Sequence, residues 1–103
     1  DLNGAILDKA KLRYANLTKA NLEGAILNKS NFHGAILVEA DLSDTDLGEA
    51  DLSGAILTNA NVSYSKLVGA NLSGADLKET KYNIYTHWSQ GFDPVAAGAI
   101  LVK

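Results

Sequence analysis

From Leu2 to Tyr82 a large apolar residue returns every five residues without a skip. Two residues before each of these centres, from Leu7 onward, stands a small residue. It is alanine everywhere except at Ser30, Thr45, Ser65 and Thr80. A period of five excludes most folds at once. On an α-helix a five-residue step turns ~140° past a full revolution and scatters the leucines around the cylinder. In an extended segment, positions two apart share a side, so the small residue and its centre both face inward. The other three residues must turn the chain and meet water. Asp, Asn, Lys, Glu, Ser and Gly dominate there, as that requires. Each pentapeptide is therefore one short inward-facing bridge and one corner of a solenoid.

The runs "ANLTK", "ANLEG", "ADLSD", "ADLSG" and "ANLSG" follow the pattern A-(D/N)-L-x-x. In this the chain resembles the pentapeptide-repeat proteins, of cyanobacterial type, over residues 1 to about 82. The resemblance implies an all-β solenoid, a right-handed quadrilateral β-helix of about four coils with twenty residues in each. Residue n then stacks on n+20 at ~4.8 Å, and four coils stand ~19 Å tall. One inner column holds Leu7, Leu27, Leu47 and Leu67; another holds Leu12, Phe32, Leu52 and Leu72. Each buried Leu contributes ~1.5–3 kcal/mol against ~1–2 kcal/mol of backbone ordering per residue. A single coil cannot fold alone, and neighbouring coils must cover one another. The residue before each centre faces outward and also stacks every twenty. Two such columns read Asp1, Asn21, Asp41, Asn61, Lys81 and Lys11, Asn31, Asp51, Asn71. No like charges are neighbours in them, which avoids a destabilising ladder.

The rhythm stops after Tyr82. The segment 83–103 is expected to cap the solenoid within the same domain, because an open coil leaves strand edges and leucines in water. Tyr82 itself, Tyr85, Trp88 and Phe92 supply bulk for that lid. Asp93 before Pro94 reads as an N-cap and first helical residue, so a short helix is predicted over 94–102. "GAIL" at 98–101 is read as part of it. The string "GFDP" is similar to the C-terminal ends of cyanobacterial pentapeptide-repeat proteins.

Chemistry is scarce. The chain has 103 residues, no cysteine and a net charge of −3. Disulfides, thiolate metal sites and cysteine nucleophiles are excluded, and the charge offers no electrostatic reason to bind nucleic acid. No apolar run approaches a membrane span. The chain opens on Asp1 in repeat register, which reads as a processed or trimmed start. Cytoplasm, thylakoid lumen and periplasm all stay open. His33 is placed outward between Arg13 and Ser53, and His87 in the aromatic lid. No nucleophile–histidine–acid arrangement and no phosphate-cradling loop is legible. The expectation is a non-enzymatic scaffold or protein-interaction module with no cofactor and no metal.

Two surfaces are candidates for a partner. The stretch 41–60 carries Asp41, Asp44, Asp46, Glu49 and Asp51 with no basic residue. It is either a docking patch for a basic partner or weak cation site, or a solvated face with Lys29 beside Glu49 and Lys66 beside Asp46. The solvated face is favoured. Ile36, Val38 and Ile56 form the second candidate, an outward apolar group opposite Ile6 and Ile26. The ring Leu2, Leu7, Leu12 and Leu17 at the other end needs a cover: either residues removed before Asp1 supplied one, or the N-terminal faces of two chains meet, and contacts with a second copy there are expected. The alternative function is implied by the resemblance, since some pentapeptide-repeat proteins imitate DNA and act on DNA gyrase. DNA presents one charge per ~1.7 Å, so ~19 Å of mimic needs ~11 negative charges. A net −3 falls far short.

Overall fold

The computed structural model describes residues 1–102; Lys103, inside the expected cap, lies outside the described residues. Parallel bridges join Ile6 to Ile26, Lys11 to Asn31, Asn16 to Ile36 and Asn21 to Asp41, and the same four-step cycle climbs to Asn61 and Lys81. Four bridges per twenty residues make a four-sided coil. The outward columns read from the sequence are these bridged pairs.

The corners have one repeated conformation. Every fifth residue from 4 to 79 has φ between +56° and +79°, ten of them not glycine. At the first corner Ala5 N–H donates to the Leu2 carbonyl at 2.9 Å. Left-handed backbone at the third residue alone is the type II pattern. Gly54 isolates the cost of that conformation, because a Cβ there would meet His33 Cε1 at an ordinary 3.7 Å. Gly54→Val should cost ~1–2 kcal/mol from the left-handed backbone. Gly54→Asn, a residue that tolerates this region, should stay within ~0.5 kcal/mol. Urea unfolding of the two variants measures the difference, and equal stabilities would remove backbone strain as the corner's selector.

The core is the stacked centres and small residues. Leu22, Leu27, Phe32, Leu37, Leu42, Leu47 and Leu52 are fully buried, with Ala25, Ala35 and Ala55 beside them. The four departures from alanine are also explained. Thr45 Oγ1 donates to the Leu42 carbonyl at 2.7 Å and Ser65 Oγ to that of Val62 at 2.6 Å. Ser30 donates to Leu27, and Thr80 reaches across a coil to Leu57. A hydroxyl is tolerated inside because a carbonyl accepts its proton. In the first coil Leu2 is 38% exposed and Leu7, Leu12 and Leu17 are half-buried.

The expected helix over 94–102 is not formed. Asp93 does cap, accepting from Ala96 N–H at 3.1 Å, but one turn follows and stops. Gly98 adopts φ +96°, Gly98 N–H donates to Val95 and Ala99 N–H to Pro94. That pair of bonds ends a helix with a left-handed residue. "GAIL" then resumes the solenoid. Strand β1 (Lys81–Tyr82) pairs in parallel with strand β2 (Ile100–Leu101), Lys81 opposite Ile100. The parallel pairing thus continues beyond Tyr82, with the register changed. Lys66 bridges His87, twenty-one residues on, and Lys81 pairs nineteen on. One extra residue in the turn after Tyr82 puts Thr86 in the small-residue site, where its Oγ1 donates to the Val62 carbonyl. His87 consequently faces outward and is exposed, not packed in the lid as expected. Trp88 turns inward, edge-on to Tyr82 and stacked on Phe92 at 5.0 Å. Its buried Nε1 has no hydrogen-bond partner among the described residues.

Candidate functional site

The acidic residues of 41–51 are a belt around three sides and the corners between them, and most are occupied by the fold. An Asp or Asn before a centre turns its Oδ1 onto the N–H two residues ahead. Asp41 receives Ser43, Asp46 receives Gly48 and Asp51 receives Ser53, at 2.9–3.0 Å. Asn21, Asn31, Asn61 and Asn71 do the same. The side chain thereby satisfies a corner amide that the coil leaves free. Asp46 bridges Lys66 through its backbone while its carboxylate serves Gly48. Glu49 and Asp44 differ. Both occupy left-handed corner positions and are exposed.

Ile36 and Ile56 are bridged neighbours on one side, and Ile6 and Ile26 on the opposite one. Ile36 and Val38 are half-buried and Ile56 is 37% exposed, so that apolar group is shallow.

A constellation absent from the sequence reading lies on a third side. His33 Nδ1 is 2.8 Å from Ser53 Oγ, and Ser53 Oγ donates to Asp51 Oδ1. The order is acid, hydroxyl, imidazole. Nucleophilic catalysis needs the imidazole between the other two, with the base taking the hydroxyl proton. Asp51 is a poor base besides. The Ser53 hydroxyl and then its backbone N–H hold the carboxyl below its ordinary value; burial opposes this, and His33 and Arg13 add smaller lowering effects. A depressed folded value means that Asp51 stabilises the fold fully above the unfolded carboxylate range, near pH ~4. That contribution disappears as pH falls through the lower folded value. Asp51→Asn keeps an acceptor and removes the titration. It should therefore lose less stability than the parent between about pH 5 and pH 2, read from urea midpoints. Equal losses would detach Asp51 from the acid response.

A concavity lies elsewhere. A groove of about 570 Å³ runs up the corner between the first and second sides, from Glu23 past Asp44 and Tyr64 to Asn83. A second hollow of about 380 Å³ continues it, lined by Tyr64, Ile84, Tyr85 and Leu101. Tyr64 and Tyr85 stack at 5.4 Å with ring planes 6° apart. Asn83 Oδ1 accepts from Tyr64 N–H at 3.0 Å and fixes this corner to the next coil. Of the expected site residues, Asp44 alone enters the groove. Tyr64, Tyr85 and Glu23 were missed. Tyr64 stands at Asp44+20 and was legible as a corner column; Tyr85 was hidden, because the extra turn residue shifts its register to Tyr64+21. Among the described residues no group of three or more His, Asp or Glu side chains is placed to hold a metal ion. Nor is any helix there long and apolar enough to cross a membrane.

The family pattern for pentapeptide repeats matches in eight copies, over residues 1–28, 15–54, 35–74 and 55–81. The chain belongs to the pentapeptide repeat family. Its fold is the right-handed quadrilateral β-helix of that family. A crystallised pentapeptide repeat protein from Nostoc Pcc 7120 is 35% identical, with TM-score 0.70 over 94% of this chain and 84% of that one. One from the Arabidopsis thaliana thylakoid lumen is 30% identical, with TM-score 0.53 over 82% of this chain and 66% of that one. QnrB1, a plasmid-mediated fluoroquinolone resistance protein, is 12% identical with TM-score 0.52 over 97% of this chain and 57% of that one, a likeness of fold alone. No curated protein matches this pentapeptide repeat protein in sequence.

Proposed function

We propose that this pentapeptide repeat protein is a non-enzymatic scaffold that binds other proteins through its sides. The observation that carries the reading is where its polar groups go. Outward Asp and Asn oxygens hold corner amides, and inward hydroxyls hold carbonyls. Among the described residues, the Asp51–Ser53–His33 contact gives the serine proton to a weakly basic carboxylate and not to the imidazole. A stack so committed internally offers shape and side-chain display, and a groove on one corner supplies a place to bind. Protein is favoured over nucleic acid or membrane as partner, since both of those present anionic surfaces to a chain of net charge −3. The gyrase reading is weaker because ~11 negative charges are needed over ~19 Å and the chain carries a net −3. Cross-linking in native lysate, followed by mass spectrometry, tests the proposal. A protein captured by the folded chain and lost on its unfolding is expected. Capture of nucleic acid alone, or potent inhibition in a supercoiling assay, would overturn it.

A further inference from the structure

We propose that the groove along the Asp44–Tyr64–Tyr85 corner is the docking site for an extended basic segment of a partner protein. An Arg or Lys side chain lies between Asp44 and Glu23, and an apolar side chain two residues further on lies against the tyrosine pair and Leu101. This inference rests on the interaction-module reading above and assigns it a surface and a partner chemistry.

The groove is polarised along its length. Its lower end holds two exposed carboxylates, Glu23 and Asp44. Asp41 and Asp46, close by in the same coil, each give an oxygen to a corner amide. Asp44 sits on the corner itself, two residues past a centre, where the repeat has no amide for its carboxylate. Among the described residues Glu23 has one weak neighbour, Asn3 Nδ2 at 3.5 Å. Below Asp44 the corner column continues as Gly24 and Gly4, and a Cβ on Gly24 would meet only Gly4 backbone at 4.0 Å. No side chain from those glycines obstructs the approach to the acidic end. The upper end is apolar: Ile84 is 75% exposed, and Tyr85 and Leu101 are about half exposed. Lys81 crowns the neighbouring outward column above Asn61. A basic group is therefore drawn to the lower end and away from the top.

Dimensions select an extended segment. From the coil of Glu23 to that of Asn83 is three coil steps, ~14 Å, which four or five extended residues span. Alternate side chains of a strand share a face ~6.8 Å apart. That spacing falls between one coil step (~4.8 Å, Asp44 to Tyr64) and two (~9.6 Å, Asp44 to Tyr85). An Arg at one position and a Leu two later therefore meet the carboxylates and the stacked rings together. Exposed tyrosine faces beside a carboxylate also favour a guanidinium through its contact with the ring. A phosphate-bearing ligand meets two carboxylates and is disfavoured.

The test uses the full chain and two capped pentapeptides, acetyl-Ser-Arg-Ser-Leu-Ser-amide and the same peptide with Gln for Arg. Amide chemical shifts of the isotope-labelled protein are followed during titration to about 5 mM peptide, the range of weak single-site contacts. The Arg peptide should give saturable shifts at Gly24, Asp44, Tyr64 and Asn83. The Gln peptide, or the Arg peptide with Asp44→Asn, should bind at least about threefold more weakly, the scale of one exposed ion pair. Raising salt from about 0.05 M to about 0.5 M should weaken the Arg peptide similarly. Asn suits the left-handed corner at 44, and unchanged shifts elsewhere confirm that the variant is folded. A second variant, Tyr64→Asn, should reduce affinity for both peptides through loss of the ring. Equal binding of both peptides, indifference to both substitutions, or no saturable shift in the groove would overturn the assignment. Saturable shifts on another side, with the groove silent, would overturn the groove and leave the interaction-module reading standing.

Discussion

Phe32→Ala is expected to lower the free energy of unfolding by about 3–5 kcal/mol, measured by urea denaturation. Phe32 is the largest side chain that the fold buries completely, and Leu12, Leu52 and Leu72 share its column. Truncation removes the ring's transfer energy and leaves a hollow that rigid neighbours fill poorly. The backbone bonds resist collapse, since Leu12 N–H donates to Asn31 and Phe32 N–H to Asp51 at 2.7–2.8 Å, holding the coils at a set separation. Leu2→Ala is the control. Leu2, in the first coil, is 38% exposed, so its loss should be less than half as large. If the two substitutions cost the same, the stacked columns are not what stabilises this protein.

Ending the chain at Tyr82 should lower the melting temperature by about 15 °C or drive self-association. The segment removed is the continuation of the solenoid. His87 N–H donates to Ser65, Leu67 N–H to His87, and Ile100 N–H to Thr80, at 2.7–2.9 Å. Trp88 and Phe92 pack on the core, and Ala99 is buried in it. Partial burial of the two rings alone is worth ~3 kcal/mol, and each ~1 kcal/mol moves the melting point of so small a domain by several degrees. Removal also uncovers Leu67 and Leu77 and frees a row of parallel edge groups, a template for pairing with another chain. Calorimetry and sedimentation of the truncated chain decide the matter. A monomer with an unaltered melting temperature would show that residues 83–102 cover nothing of consequence.

The sequence by itself determined the solenoid. Pairs of positions two apart, repeated every five, allow one inward direction per bridge, and the bridged columns follow from Ile6 to Lys81 as read. It also placed Asp and Asn in the outward columns, though not their reason for being there. That reason is local: Asp41 reaches the N–H of Ser43, and Asn61 that of Ser63. Such a contact is inferable only once the corner conformation is known. The sequence misled at the tail because its local signals were sound but short in range. Asp93 and Pro94 do begin a turn, and Gly98 ends it before a helix exists, since the Thr80 and Tyr82 carbonyls beneath accept Ile100 and Val102 as strand. Pairing with a coil twenty residues back outweighed helical propensity, a contest that no local window contains. The groove lay beyond reach for a related reason. Tyr85 reaches Tyr64, on the corner of Asp44, because one residue inserted after Tyr82 advances the register from twenty to twenty-one. Periodicity predicts what continues the period. Where the period slips, only the tertiary stack decides which side chains come together.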